Sequence, residues 1–575
     1  MSAAAPPPHA AARRRPAAAR RAGAALLLVP ALLAAPARAA RGGAVVSGEA
    51  DATRVGLAVL AAGGNAVDAA VATALALAVV HPEAGNLGGG GFAVVRVGGE
   101  IAALDFRETA PAAATPRMFV DRRGEPLPEA SLVGPLASGV PASPAGYFEL
   151  HRRFGRLPWP RVVEPAIALA RDGFEISERT ARHLAEDRDR LARFAETAAV
   201  WLPRGRPPGW GERLRLPELA ATLEAYAARG PEAITSGPVA AAIEAAARRH
   251  GGLLTKADLA AYRPLWRQPL RFERFGWSFA SMPLPSSGGV LVAETLALLE
   301  RLGWSGIERD SADRAHRLAE ALRRAFADRF LLGDTATSAT PATLLSPARL
   351  DELARGIDPT RASRSSRPGA SAAAPELIET THVSVVDGDG NLVALTTTLN
   401  DLFGCRLWIP GAGFFLNDQM DDFDTAAGRP NEYGLVQGEA NAVAPGRRPL
   451  SSMAPTLAWR GEEALVLGGR GGPRIPTGLL QVFLALLDGD RAGAAVARPR
   501  LHHQWLPDRL EVEDGALDAG ARAELERRGH RLAPMSEVPK ISLVVRRADG
   551  ALEAVGDPRG PEAGESRPAT PEPRP

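Results

Sequence analysis

Apolar residues recur at helical spacing through most of the chain between Val45 and about Arg349. The clearest segments end in glycine, and they read "ATRVGLAVLAAGG", "PAIALARDG", "LPELAATLEAYAARG" and "AHRLAEALRRAFADRFLLG". An apolar stripe with a period near 3.6 residues predicts an amphipathic helix, and glycine commonly follows a helix C-terminus. The pattern therefore predicts a mainly helical region. A β-hairpin interrupts it from Gly91 to Glu108, where two alternating runs flank "GGE".

One apolar stretch, "AVDAAVATALALAVV" from Ala66 to Val80, is almost free of polar residues. It follows Asn65, a favourable N-cap residue, and it carries Asp68 near its start. It spans only about four helical turns, which is too short for a comfortable membrane crossing. We therefore predict a helix buried in the core, and we predict no stable transmembrane span in the mature protein.

The pattern changes after Arg361. The stretch from Arg361 to Glu379, "RASRSSRPGASAAAPELIE", has small, polar and proline residues without periodicity, which predicts a flexible linker. The runs "THVSVV" and "LVALTTT" follow, separated by the turn sequence "DGDGN". Further on, "GFFLND", "TLAWR", "ALVLGG", "LEVED" and "ISLVVRR" predict short strands, and "TGLLQVFLALLDG" and "AGARAELERRG" predict helices. From about residue 560 the composition predicts a disordered tail.

The first 39 residues have the pattern of an export signal. Arg13, Arg14 and Arg15 give a positive region, "AGAALLLVPALLAAP" is a short apolar run, and "ARA" ending at Ala39 fits a cleavage site. An uncleaved membrane anchor is the alternative, but Pro30 and Pro36 interrupt the run. We expect an exported protein, periplasmic or extracellular.

Composition excludes several classes of function. The 68 basic and 66 acidic residues nearly balance, and no basic stripe suggests a nucleic-acid partner. Cys405 is the only cysteine, so the chain has no intrachain disulfide and no thiolate metal cluster. No H-E-x-x-H motif occurs among the ten histidines. The sequence therefore predicts neither a metal nor an organic cofactor.

The border between the linker and the first following strand carries "TTH", from Thr380 to His382. One interpretation is plain strand packing, since threonine is common in strands. The other is an N-terminal-nucleophile hydrolase, in which the bond before a threonine breaks during maturation. The new terminal threonine then has a hydroxyl nucleophile and an α-amine of pKa roughly 8 that can accept its proton.

Several motifs in order make the chain resemble the γ-glutamyltransferase family. "TTHVSVVDGDGNLVALTTTLN" is similar to the family's processing site, and "RETAP", "LNDQMDDF", "RPLSSMAPT" and "GGRGGPRI" are similar to its substrate-site stretches. "GGNAVDAAVA" and "PLPSSGGV" resemble its structural motifs. The resemblance runs from about Val45 to Arg559. It implies an α+β fold, a four-layer αββα sandwich of the N-terminal-nucleophile hydrolase type.

The resemblance also implies roles for individual residues. Cleavage between Glu379 and Thr380 would make Thr380 the nucleophile, and Thr398 would steady it from across the hairpin. Gly471 and Gly472 would offer backbone N–H groups to the oxyanion, although a tight turn is the simpler interpretation of the pair alone. The residues implied for binding the substrate are Arg107, Asn400, Gln419, Asp422, Tyr433, Ser451 and Ser452.

In that set Arg107 would bind the α-carboxylate of a γ-glutamyl group, and Asp422 its α-ammonium. Tyr433 would stand at the tip of a lid loop, "GRPNEYGLVQGEANAV". His382 is interpreted as structural rather than as a base. Two stretches depart from the family pattern, "LGDTATSATPATLL" and "SEVPKISLVV", which concerns the acceptor side of the pocket.

The implied activity is cleavage of γ-glutamyl amides such as glutathione through a γ-glutamyl-Thr380 ester, with transfer to water, an amino acid or a peptide. A large fragment, residues 40–379, and a small one, residues 380–575, would remain together as a heterodimer. The alternatives are a glutaryl-cephalosporin acylase or capsule-anchoring transpeptidase of the same fold, and an unprocessed, exported binding protein without catalysis.

Overall fold

The computed structural model of the chain describes residues 42–127, 129–365 and 380–567. The predicted signal peptide, residues 1–39, lies outside the described residues. So do Glu379 and most of the predicted linker, residues 366–379.

The described strands are mostly short, as the sequence predicts, and they occur on both sides of Thr380. In chain order they are β1 Gly43–Ser47, β2 Gly90–Val97, β3 Glu100–Phe106, β4 Phe174–Glu175, β5 Arg213–Leu214, β6 Leu265–Arg267, β7 Leu270–Arg274, β8 Trp277–Ser281, β9 Thr381–Asp387, β10 Leu392–Thr398, β11 Thr456–Arg460, β12 Glu463–Arg470, β13 Leu501–His502, β14 Leu510–Val512, β15 Leu532–Pro534, β16 Lys540–Arg546, β17 Leu552–Val555 and β18 Ala563–Arg567.

The α-helices concentrate before residue 356. In chain order they are α1 Ala50–Ala61, α2 Ala66–Val80, α3 Ser143–Phe154, α4 Trp159–Asp172, α5 Glu178–Glu186, α6 Arg188–Leu191, α7 Ala195–Trp201, α8 Pro217–Arg229, α9 Glu232–Thr235, α10 Gly237–Arg249, α11 Lys256–Ala261, α12 Gly288–Arg301, α13 Ala312–Arg329, α14 Pro341–Leu344, α15 Pro347–Arg355, α16 Arg474–Leu487, α17 Ala492–Ala497 and α18 Ala519–Arg527.

Two large sheets form the centre of the fold, and each takes strands from both sides of Thr380. The seven-stranded sheet has the order β18-β1-β9-β10-β2-β3-β6, and the six-stranded sheet has the order β17-β16-β12-β11-β8-β7. Neighbouring strands within these two sheets pair antiparallel. The hairpin β9–β10, which starts next to Thr380, therefore lies in the middle of the larger sheet.

Alternation along the strands separates two apolar cores. Val45 of β1 faces a core shared with helices α1, α2, α4 and α8. Its neighbours Ala44 and Val46 face a second core, shared with the other sheet and with α12, α13 and α16. Successive side chains of a strand point to opposite faces, so each sheet packs on the other and on a helical layer. The predicted α+β, four-layer αββα sandwich is confirmed.

Helix α2 is the buried helix that the sequence predicts. Its N-cap, Asn65, accepts hydrogen bonds from the N–H groups of Val67 and Asp68, and the Asp68 carboxylate accepts from the N–H of Asn65. This reciprocal capping box satisfies N–H groups that have no partner within the helix. All fifteen residues of α2 are buried. None of the helices in the described ranges combines the length and apolarity that a bilayer crossing requires.

Two sequence predictions are wrong in detail. "GFFLND" is not a strand, because its only ladder contact is an isolated bridge between Phe415 and Trp408. The disordered tail does not begin at about residue 560, because Ala563–Arg567 forms strand β18 against β1. This edge strand is polar and mostly exposed. Backbone hydrogen bonds to β1 order it without an apolar pattern that the sequence could have shown.

Candidate active site

Thr380 and Thr398 face each other where the hairpin β9–β10 opens. Thr397 pairs with Thr381 in the hairpin register, so the preceding Thr380 comes opposite Thr398. The two hydroxyl oxygens lie 3.2 Å apart, within hydrogen-bond distance, and both side chains are buried. The N–H of Asn400 donates to the Thr398 hydroxyl at 2.9 Å, which fixes the orientation of that side chain.

His382, two residues after Thr380, is enclosed between the two sheets. Its Nδ1 lies 2.7 Å from the Thr396 hydroxyl and its Nε2 lies 3.0 Å from the Ser384 hydroxyl. Complete burial lowers the pKa of His382 to about 3, so the ring is neutral at physiological pH. A Cβ at Gly468 would lie 2.1 Å from this ring, which leaves only glycine room there. These contacts agree with the structural role that the sequence predicted.

Gly471 and Gly472 form the turn between β12 and helix α16. Their φ angles are +124° and +51°, a backbone region that favours glycine. Gly472 lines the same cavity as Thr380, whereas Gly471 packs beside Pro539. Within the described residues neither backbone N–H donates a hydrogen bond. Two free N–H groups near the positive end of a helix are suited to stabilise a negative oxygen.

Arg107 and Asp422 meet across the cavity as an ion pair. Arg107 follows strand β3, and its Nη2 donates to Asp422 Oδ2 while its Nε donates to the carbonyl oxygen of Pro449 at 3.2 Å. Asp422 ends a short 3₁₀ turn, Gln419–Asp422. The side-chain amides of Gln437 and Asn441 donate to the main-chain carbonyl oxygen of Asp422 at 3.0 and 2.6 Å. The site therefore offers one fixed cation and one fixed anion.

Asn400, Gln419 and Tyr433 join the hairpin, the 3₁₀ turn and the predicted lid in one network. Gln419 Nε2 donates to Asn400 Oδ1 at 3.0 Å and to Asp422 Oδ2 at 2.7 Å. The Tyr433 hydroxyl donates to Asn400 Oδ1 at 2.7 Å. Burial raises the pKa of Tyr433 well above its usual value, so the phenol stays a neutral donor. Asn400 has a φ of +92°, a strained conformation that asparagine tolerates better than most residues.

Ser451 and Ser452 complete the wall on the side of Arg107. Ser451 is buried, and its hydroxyl accepts a hydrogen bond from the N–H of Met453 at 3.1 Å. The carbonyl oxygen of Ser451 accepts from the N–H and the hydroxyl of Ser287 at 2.8 and 2.7 Å. Both serines line the cavity that holds Thr380 and Arg107. Their positions agree with contacts to a carboxylate held by Arg107.

One cavity thus brings together almost all of the predicted site residues. Those that line it are Arg107, Thr380, Thr398, Asn400, Gln419, Asp422, Tyr433, Ser451, Ser452 and Gly472. Its volume is about 20 Å³, which is room for about one water molecule. Because the Arg107–Asp422 ion pair crosses it, a larger ligand has to separate these two side chains.

Two buried charged residues beside the site were not predicted from the sequence. Glu108 is fully buried, and neither carboxylate oxygen has a hydrogen-bond partner among the described residues. Burial raises the pKa of Glu108 to about 7, and the Arg107 guanidinium, 3.7 Å away, is the strongest influence in the opposite direction. Arg329 donates to Gln437 Oε1 at 2.8 Å, and burial lowers the pKa of Arg329 to about 10. Glu108 lies within "RETAP", which was its only sequence signal.

The chain is similar to known proteins along most of its length. The family described as Gamma-glutamyltranspeptidase matches residues 52–566. The Glutathione hydrolase proenzyme of Escherichia coli (strain K12) is 43% identical over 528 residues, which cover 90% of this chain and 91% of that protein. The Acylase ACY 1 proenzyme of Pseudomonas sp. (strain SE83) is 36% identical over 530 residues, which cover 90% of this chain and 92% of that protein.

A solved structure supports the same relationship at the level of the fold. The cephalosporin acylase from Bacillus halodurans superposes with a TM-score of 0.80 at 26% identity, over 95% of this chain and 100% of that chain. A glutathione hydrolase and two acylases therefore stand among the proteins that this chain resembles.

Proposed function

Because the chain belongs to the gamma-glutamyltranspeptidase family, we propose that it is a γ-glutamyltransferase that cuts its own precursor and then cleaves γ-glutamyl amides such as glutathione. The observation that carries this proposal is the content of one cavity. A threonine hydroxyl, a cation and an anion line it together with a glycine turn at a helix start. These groups match the reacting carbonyl and the two charges of a γ-glutamyl group.

Maturation would break the peptide bond between Glu379 and Thr380. In the precursor the nitrogen of Thr380 is a peptide amide, which cannot accept a proton at neutral pH. After cleavage it is an α-amine with a pKa of roughly 8, so it can take the proton from the Thr380 hydroxyl. Thr398, 3.2 Å away, would hold that hydroxyl in position by hydrogen bonding.

The reaction would proceed by double displacement. The Thr380 hydroxyl oxygen attacks the γ-carbonyl carbon of the substrate, and the amine leaving group departs with a proton to leave a γ-glutamyl-Thr380 ester. Water, or the amino group of an amino acid or peptide, then attacks the ester and restores the hydroxyl. In both steps the backbone N–H groups of Gly471 and Gly472 would stabilise the oxyanion.

Arg107 and Asp422 would bind the two charges on the α-carbon of the γ-glutamyl group. The Arg107 guanidinium, with Ser451 and Ser452 nearby, suits the α-carboxylate. Asp422, with Asn400 and Gln419, suits the α-ammonium, and Tyr433 would close the pocket from the lid. Arg107 and Asp422 are now paired with each other. In the complex the α-carboxylate would take the place of Asp422 beside Arg107, and the α-ammonium would take the place of Arg107 beside Asp422.

After cleavage the two fragments would form a heterodimer, because each of the two sheets contains strands from both of them. The leader at residues 1–39 favours export of the precursor, and we propose a periplasmic or extracellular site of action.

An acylase for glutaryl side chains is the second candidate, and the likeness to a cephalosporin acylase favours it. A glutaryl group is a γ-glutamyl group without the α-ammonium. A glutaryl substrate that binds Arg107 would then leave Asp422 as a buried anion without a positive charge to pair with. Asp422 would have no role in recognising such a substrate. Asp422 therefore favours the γ-glutamyl substrate.

Hydrolysis of two chromogenic substrates separates the candidates. We expect the mature protein to release p-nitroaniline from γ-glutamyl-p-nitroanilide with a kcat/KM roughly 100-fold higher than from glutaryl-p-nitroanilide. Asp422→Asn should abolish most of this preference, whereas Asp424→Asn, a half-buried aspartate that does not line the cavity, should retain it. Equal or better turnover of the glutaryl substrate by the unaltered protein would favour the acylase instead.

A further inference from the structure

Three acidic side chains come together directly behind the network of Asn400, Gln419 and Tyr433. They are Asp401, Asp418 and Glu432, and one ligand oxygen from each lies within 4.8 Å of the others. Successive members are at least 14 positions apart in the chain, so they do not form a short sequence motif. Each one is the chain neighbour of a residue in that network.

Each acidic residue stands directly beside one residue of the network in the sequence. Asp401 follows Asn400, Asp418 precedes Gln419, and Glu432 precedes Tyr433. Gln419 and Tyr433 both donate hydrogen bonds to Asn400 Oδ1, and all three residues line the cavity. The same three segments therefore carry a neutral network that lines the cavity of Thr380 and an acidic cluster that does not line it.

The nearest cation balances only part of this cluster. Arg406 is fully buried, and its Nη2 donates to Asp401 Oδ2 while its Nε donates to Asp187 Oδ2 at 2.8 Å. Its Nη1 donates to the carbonyl oxygens of Leu132 and Gly404, and it lies 3.7 Å from Asp418 Oδ2, beyond hydrogen-bond distance. The positive charge of Arg406 is thus shared between Asp401, a member of the cluster, and Asp187. Arg190 lies near the same two carboxylates, at 4.0 Å from Asp401 and 3.6 Å from Asp187. Among the described residues neither arginine donates a hydrogen bond to Asp418 or Glu432.

Two oxygens of the cluster have no hydrogen-bond partner among the described residues. They are Asp418 Oδ2, on a side chain with no exposed surface, and Glu432 Oε2. The other oxygen of Asp418 accepts from the N–H of Asp401 at 3.0 Å, which fixes the direction of the carboxylate. A buried anionic oxygen without a partner is strongly unfavourable, and several in contact are more so.

We propose that Asp401, Asp418 and Glu432 bind one calcium ion next to the network of Asn400, Gln419 and Tyr433. Carboxylate oxygens are the ligands that hard divalent cations prefer. Calcium binds oxygen at 2.3–2.6 Å, so two of its ligand oxygens lie at most about 5.2 Å apart, and three oxygens within 4.8 Å of one another can share one ion. Calcium is favoured over magnesium because it accepts flexible sets of carboxylate ligands, whereas magnesium requires near-ideal octahedral geometry and usually keeps several water molecules.

The position of the ion gives it a structural role in the pocket. It would connect the segment after the hairpin, the 3₁₀ turn and the lid through the residues next to Asn400, Gln419 and Tyr433. With the ion bound, the network that faces the substrate is held in place. The effect on substrate affinity rests on the proposed function, whereas the ion site itself does not.

The test uses the mature protein, treated with EDTA and then dialysed into chelator-free buffer. We expect calorimetry with CaCl₂ to show one site per chain. We expect Tm to rise by roughly 2 to 4 °C with CaCl₂ at saturation, and by less with MgCl₂. No heat of binding and no change in Tm with CaCl₂ would overturn the proposal. An equal response to MgCl₂ would contradict the assignment of calcium.

Matched variants test the ligands. The double variant Asp418→Asn, Glu432→Gln should lose the calcium-dependent shift in Tm. Glu294→Gln is the control, because Glu294 is also buried with both carboxylate oxygens unpartnered among the described residues, but is outside the cluster. It should keep the full shift. A shift retained by the double variant, or lost in the control as well, would contradict the assigned ligands.

A kinetic measurement tests the link to the pocket separately. If the proposed function holds, calcium should lower KM for γ-glutamyl-p-nitroanilide several-fold with little change in kcat. A calcium site with no effect on KM would leave the ion site in place and refute its connection to the pocket. If the protein does not turn over this substrate, the calorimetric result still decides the ion site.

Discussion

Arg107 and Asp422 form an ion pair across the cavity that holds Thr380. A zwitterionic substrate that binds both residues has to break this ion pair and form one ion pair with each of them. The exchange is close to neutral in charge, because the substrate brings one anion and one cation to the places of the two side chains. A ligand with only one of these charges would leave the other side chain buried and unpaired, which costs several kcal/mol. If the two residues bind the substrate as proposed, the pair would select for zwitterionic ligands.

Glu108 gives the site a pH dependence that can be measured on stability. Its folded pKa is raised to about 7 from an ordinary value of 4.5, so the fold favours the protonated form. This contribution is complete below pH 4.5 and is lost as the pH rises through 7, and it amounts to roughly 3 kcal/mol. We expect Glu108→Gln to reduce the fall in Tm between pH 5 and pH 8. An unchanged slope would mean that Glu108 is not protonated in the folded protein.

The sequence could predict those site residues that lie within recognisable motifs. Thr380, Arg107, Asp422 and their neighbours stand in stretches whose order resembles the family, and the structure brings them to one cavity. Glu108 and Arg329 could not be predicted in this way, because their importance comes from burial and not from local sequence. The acidic cluster is a similar case, since its members approach one another only through three separate loops.

At the scale of elements, the position of Thr380 depends on the contact between strands β9 and β12. The ring of His382 in β9 fills the space above Gly468 in β12, where a Cβ would lie 2.1 Å from a ring carbon. The two sheets can approach at this point only because residue 468 has no side chain. His382 is two residues from Thr380, so a displaced ring would also move Thr380.

We expect Gly468→Ala to destabilise the fold by roughly 1–3 kcal/mol and to lower activity, because the methyl group displaces His382. Gly306→Ala is the control, since a Cβ there would meet no atom within 4 Å. Chemical denaturation and kcat measured on both variants check the expectation. If the two variants are equally stable and equally active, the packing of His382 does not position Thr380.

The elements that could be predicted are those with a strong local pattern. Helix α2 follows from its apolar run and its capping residues, and the hairpins β2–β3 and β9–β10 follow from alternation around a turn. Strand β18 could not be predicted, because its polar residues form an edge strand through backbone pairing alone. The pairing of strands distant in sequence likewise depends on the whole fold.

At the scale of the whole molecule, the border at Thr380 does not divide the fold into two separable parts. Strands β9 and β10, after the border, lie between β1 and β2, which precede it, and the described residues form one compact unit. The sequence predicted a helical region and a strand-rich region. It could not show how their strands alternate, because pairing between distant segments leaves no local signal.

Both sheets contain strands from before and after Thr380, so we predict that the cleaved fragments stay together. We expect both to elute as one species in size-exclusion chromatography under native conditions, and to separate only in denaturant. Separation without denaturant would show that the sheets do not hold the fragments as the strand order indicates.

A denaturing gel with N-terminal sequencing of the smaller band shows whether Thr380 becomes the N-terminal residue and nucleophile of the mature protein. We predict two fragments from the unaltered chain, the smaller one beginning Thr-Thr-His, and a single uncleaved and inactive chain from Thr380→Ala. A Thr380→Ala chain that still cleaves itself, or an unaltered chain that remains intact yet is fully active, would show that Thr380 is not the N-terminal nucleophile.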